Sequence, residues 1–224
     1  MNLSNEKIAE YAERLHRIFN SLHRYRKPFE DFDTIPKNGI CITFETGQKF
    51  STTNYDRIVH IGFHYTENNN RNRIGQFFLT KGRDATLKRH IGLCFIAESN
   101  ESEEFAELWK KPPSNKIGKD DEYFKTEQKY NEIVHHYIYE NMSFAALSYL
   151  NSNRSERKLL KDKILYTLAM YNKTQNLELW LGKKSTNQII SDYGLWAEDY
   201  LSTKRFLTDD DFNLLDECLK DSEC

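Results

Sequence analysis

Two short tripeptides bring together residue types that can bind an anion and move a proton. Gly39-Ile40-Cys41 ends on a thiol, and His60-Ile61-Gly62 begins on an imidazole. His64 follows shortly after the second glycine, and Arg73 comes next among these groups. A planar guanidinium forms paired hydrogen bonds with phosphate. Imidazole exchanges protons near neutral pH. A thiol does so around a reference pKa of about 8.5. Cys41 is open to two readings: a proton acceptor, or a small apolar side chain in a core. Positive charge also collects in two places. Arg14, His16, Arg17, His23, Arg24, Arg26 and Lys27 crowd one segment, and Lys88-Arg89-His90 form another cluster. Such groups either complement a helix C-terminus or track phosphates. Cys41, Cys94, Cys218 and Cys224 show no CxxC or CxxxH spacing, which argues against a structural zinc site and a disulfide framework.

The elements that would position these groups follow from periodicity. Residues 4–25 carry apolar side chains at three-to-four spacing, with Ser4 as N-cap and Pro28 as the stop. A turn at 36–39 leads into a strand in which Ile40, Ile42 and Phe44 alternate with Cys41 and Thr43. A loop over 48–56 and a strand over 57–63 complete a hairpin. A short helix over 73–79 follows, then a helix over 85–95 that Asp84 is placed to cap. The stretch 98–121 holds Pro112-Pro113 and a mixed charge run, and reads as a surface insertion. A helix over 122–141, a third strand over 142–150 and a strong helix over 154–171 come next. Two more helices are expected, one capped by Ser185 and ending near Gly194, the other capped by Thr208 and covering 209–220. Short strands among helices indicate an α+β fold.

Composition narrows the class. The chain has 224 residues, enough to bury a core, and 14 Phe with 13 Tyr argue against disorder. No apolar run reaches the ~20 residues of a membrane span, and residues 1–15 lack a signal-peptide apolar region, so a cytoplasmic protein is expected. The formal net charge is −2, so any affinity for nucleic acid must come from a local basic face.

The ordered set of Gly39-Ile40-Cys41, His60-Ile61-Gly62 and Arg73 on strand, strand and helix resembles the GIY-YIG nuclease superfamily. The runs IPKNGICITFE, RIVHIGFH, RNRIGQFF and LKRHIG are similar to segments of a bacterial branch, as are NMSFAALSYL, RKLLKDKILYTL, LWLGKKS and SDYGLW. The resemblance implies a small, mainly antiparallel three-stranded sheet flanked by helices. It divides the chain into an N-terminal helix (1–30), a nuclease-like core (35–171, with the insertion at 98–121) and a C-terminal helical extension (172–224). It also implies an endonuclease that cleaves double-stranded DNA with a divalent metal such as Mg²⁺. In that chemistry an arginine stabilises charge on the phosphate, a proton acceptor activates the attacking oxygen, and a glutamate on a later helix holds the cation.

Carried over by position, Gly39 and Gly62 match the motif glycines and Arg73 the catalytic arginine. His60 is a candidate general base. His64 matches a histidine that either orients a phosphate or caps the hairpin. Three positions depart from the pattern. Cys41 replaces the first tyrosine, Phe77 replaces a helix histidine, and Lys161 stands where the metal-binding glutamate belongs. An ammonium has no lone pair with which to hold Mg²⁺. Glu45 and Glu127 are unaligned carboxylates that could fold into the gap. Lys161 could instead contact phosphate directly. The alternatives to an active nuclease are a catalytically degenerate DNA-binding module and a protein-interaction module on the same fold.

Overall fold

Ile40, Ile42 and Phe44 pack on one side of their strand and Cys41 on the other, and both sides are covered. The computed structural model describes residues 3–25, 32–50, 53–63, 66, 68–114, 118–149 and 152–222, with the backbone alone at Phe32, Arg73, Asp221 and Ser222. Three strands, β1 (Gly39–Lys49), β2 (Asp56–Gly62) and β3 (Met142–Ser148), form an antiparallel sheet in the order β2-β1-β3. The helices are α1 (Asn5–Ser21), α2 (Asn70–Phe78), α3 (Thr86–Ala97), α4 (Glu103–Lys110), α5 (Asp121–Asn141), α6 (Arg154–Asn172), α7 (Gln188–Tyr193) and α8 (Asp209–Ser222). Helices α1, α6 and α8 bury their apolar stripes against one face of the sheet. Helices α2 to α5 cover the other. The fold is therefore α+β. No helix among the described residues is long and apolar enough to cross a membrane.

Local chemistry explains most boundaries. The Ser4 hydroxyl accepts from the Lys7 N–H at 3.2 Å and starts α1. Asn153 and Glu156 form a capping box at the start of α6. Thr208 Oγ1 accepts from the Asp211 N–H at the start of α8.

Several expectations need correction. Helix α1 ends at Ser21 because Tyr25 is drawn into a bridge with Phe144, through N–H to C=O bonds of 2.8 and 3.2 Å. Arg24 thus leaves the helix, stacks 3.3 Å over the Phe44 ring and pairs with Asp56. Pro28, expected to stop this helix, lies outside the described residues. Strand β1 runs through the start of the expected loop to Lys49. Segment 98–121 is not a bare insertion. It contains α4, capped by Ser102, whose Trp109 is fully buried and packs against Gly92 of α3. Pro112-Pro113 ends that helix rather than marking a long loop. Ala85 rather than Asp84 sits at the N-cap of α3, and Asn187 rather than Ser185 caps α7.

Gly39 is required by contact. Its φ is +153°, and a Cβ there would lie 2.0 Å from the Leu147 carbonyl oxygen of the paired strand. Gly39→Ala is expected to lose about 3 kcal/mol of stability from strain and overpacking, read as a lowered urea midpoint.

His16 is buried in α1 with both ring nitrogens committed. Its Nδ1–H donates to the Ala12 carbonyl at 2.7 Å, and its Nε2 accepts from the Ile58 N–H at 3.2 Å. That pattern requires the neutral ring. Burial pushes its pKa down to about 3 and outweighs the opposing effect of the Ala12 bond. The unfolded chain therefore binds a proton first as pH falls. Stability contributed by this site is complete above the unfolded value near 6.5 and is lost progressively toward pH 3. Urea titrations at pH 7 and pH 5 are expected to differ by about 2 kcal/mol, and the difference to shrink in His16→Gln.

Candidate functional site

Strand β2 lies at the sheet edge, and the segment after α7 closes it. The Trp196 N–H donates to the Val59 carbonyl at 2.8 Å. Val59 is an extra residue in β2 between the pairs Thr43–His60 and Phe44–Ile58. A bulge of this kind re-aims the next side chain. His60 meets the ring of Phe77 edge-on, 5.2 Å between centroids at 81°. A Cβ on Gly62 would lie 3.1 Å from both of these rings, so the motif glycine leaves them room.

A cleft of about 190 Å³ opens between residues 60–63 of the β2 edge, Thr86 at the start of α3, Lys161 of α6 and residues 196–199. Leu160, Ile164 and Leu168 bind α6 to the core, which leaves Lys161 turned about 100° from Leu160. Its ammonium donates to Asp199 Oδ2 at 2.9 Å and Oδ1 at 3.2 Å, and lies 3.2 Å from Asp162 Oδ1. Asp162 is also paired with Lys158. Burial raises the pKa of Asp199, but the charge and hydrogen bond of Lys161 outweigh it and hold the carboxyl below its ordinary value.

The cleft gathers some of the residues expected from sequence and not others. His60, Gly62 and Lys161 line it. Cys41 does not. It is fully buried, paired in register with Gly62 and packed in the core cluster that holds Phe77. Gly39 sits at the far side of the strand pairing, opposite Ser148. Arg73 lies within α2, and its side chain is outside the described residues, as is His64. Thr86, Glu198 and Asp199 are cleft residues that sequence reasoning missed. The acidic pair lies one residue past the Gly194-Leu195-Trp196 segment, and that proximity was the available signal.

The unaligned carboxylates fold elsewhere. Glu45 Oε2 accepts from Trp180 Nε1 at 3.0 Å and Trp196 Nε1 at 3.2 Å, while Oε1 takes the Tyr137 hydroxyl. Glu127 pairs with Arg83 at 2.6 Å. The two tryptophan segments are thus core anchors around a buried carboxylate. The basic clusters are also largely engaged. Arg14 pairs with Asp216 at 2.9 Å. Lys88 is buried and donates to Thr80, with burial pushing its pKa down to about 8.

The donor set at the cleft does not fit a divalent cation. Lys161 occupies the position between Asp162 and Asp199 where a cation would sit. Among the described residues, no group of three or more His, Cys, Asp or Glu side chains could hold a metal ion.

A model of the GIY-YIG domain matches residues 4–222, and the chain belongs to that family. The match supports membership of the corresponding nuclease superfamily. No curated protein and no solved structure matches the chain.

Proposed function

We propose that this chain binds the phosphodiester backbone of DNA at the Lys161 cleft, with a fixed ammonium in place of the family's metal ion. Lys161 carries the reading, held at the cleft by Asp199 at 2.9 Å. Family membership supplies the substrate class. An ammonium is a point charge suited to phosphate, and exchange of Asp199 for a phosphate oxygen keeps it neutralised. Arg73 is the second phosphate contact in this reading, and His60 borders the phosphate position.

Metal-dependent endonuclease activity is the second reading. It is favoured by His60, an imidazole in the same cleft that can accept a proton. Plasmid incubation with Mg²⁺ or Mn²⁺ separates the two. The binding reading expects intact plasmid with the parent chain. Cleavage by the parent that disappears in Arg73→Ala would replace it with the nuclease reading. Cleavage gained in Lys161→Glu would place the lost metal ligand at that position.

A further inference from the structure

Helix α3 runs for 12 residues from Thr86, and its N-cap, Ala85, has no side chain able to accept a hydrogen bond. The positive end of this helix borders a second cleft of about 350 Å³. This cleft adjoins the first, because Thr86 and Glu198 line both.

His90, one turn into α3, also lines the second cleft. It is only 6% exposed, yet neither ring nitrogen has a hydrogen-bond partner. Its Nε2 lies 3.7 Å from Glu198 Oε1, beyond hydrogen-bond range. A buried polar group left without a partner is costly, and a bound ligand that supplies one removes that cost.

The surroundings favour an anion. Arg89 lines the cleft with its guanidinium fixed by the Asp84 carbonyl at 3.0 Å and Thr86 Oγ1 at 3.1 Å. Lys110, ion-paired with Glu107, adds a second cation, and Thr186 and Asn187 add polar groups. Glu198 is the opposing charge, and its Oε2 already accepts from Asn187. With Glu107 on Lys110 and Glu198 opposite, two cations face two carboxylates, and the helix N-terminus and the unpartnered imidazole tip the balance toward a phosphate rather than a metal ion.

We infer that this cleft is a second phosphate subsite, which takes the phosphate next to the one at Lys161 when a DNA strand lies along the two clefts. The inference rests on the DNA-binding reading for its ligand.

The test follows the His90 imidazole nitrogen signals by NMR in the full chain, assigned by their loss in His90→Gln. Inorganic phosphate is expected to shift them saturably. Lys110→Ala combined with Thr186→Val, both away from the helix core, is expected to weaken that shift. The double variant is also expected to lower the slope of log DNA affinity against log salt by about one. A lowered slope with no response to inorganic phosphate also supports the subsite, since a free anion lacks the strand's other contacts. A phosphate-dependent shift in a chain that binds no DNA would keep a free-phosphate site and remove the DNA reading. Unmoved His90 signals together with an unchanged salt slope would overturn the subsite while leaving the Lys161 reading intact.

Discussion

Glu45→Ala is expected to destabilise the fold by about 3–5 kcal/mol, the range for removing one partner from a buried charged network. Glu45 is 4% exposed and Arg57 is 2% exposed. Burial lowers the pKa of Arg57 to about 10, with Glu45 acting in the opposite direction. Arg57 therefore stays charged at neutral pH. It donates to the Gly194 carbonyl at 2.6 Å and stacks 4.8 Å over Trp180. Removing Glu45 leaves that charge uncompensated and strands the N–H groups of Trp180 and Trp196. Glu45→Gln keeps an acceptor for them and is expected to fall between the parent and Glu45→Ala. Trp180→Phe removes one neutral donor and is expected to cost less than Glu45→Ala. Equilibrium urea unfolding measures all three. A Glu45→Ala loss under about 1 kcal/mol would contradict the network account. Because Trp196 lies two residues before Glu198 and itself lines the cleft, this network also fixes one wall of it.

Lys161→Ala and Asp199→Asn are expected to move DNA affinity in opposite directions. Lys161→Ala removes a charged donor, a loss of about 1.5–3 kcal/mol or at least tenfold in Kd. Asp199→Asn removes the carboxylate that competes with phosphate for the same ammonium, and is expected to tighten binding. Asp199→Asn should change stability little, whereas Lys161→Ala removes a buried ammonium beside the buried Asp162 and is expected to lower the urea midpoint as well. Asp199 is more than half exposed, and Asp162 keeps its pairing with Lys158. Fluorescence anisotropy with a double-stranded oligonucleotide reads both shifts. If the two variants weakened binding equally, the Lys161–Asp199 pair would be acting as a structural unit rather than as a competitor for phosphate.

The sequence carries much of this arrangement because periodicity reports which faces are buried. The alternation over Ile40–Phe44 and the stripe of Leu160, Ile164 and Leu168 are local signals, and both appear as core. Long-range contacts are not local. Tyr25 leaves its helix for Phe144, some 120 residues away, which no window around Tyr25 records. Trp109 looked like part of an irregular insertion because Pro112-Pro113 obscured a short capped helix beside it. At the cleft, Lys161 was legible as a departure from a motif. Its partner Asp199 was not, since the pair joins two segments by tertiary packing. Cys41 sat at a motif position, but its burial depended on α2 and its Phe77 covering that face.

The most direct test of the account measures parental DNA affinity first in EDTA and then with Mg²⁺ added. A fixed ammonium expects full binding in EDTA and weaker binding as Mg²⁺ competes for the phosphates. Binding absent in EDTA and restored by Mg²⁺ would contradict it, because the cleft would then depend on the ion that Lys161 is argued to replace.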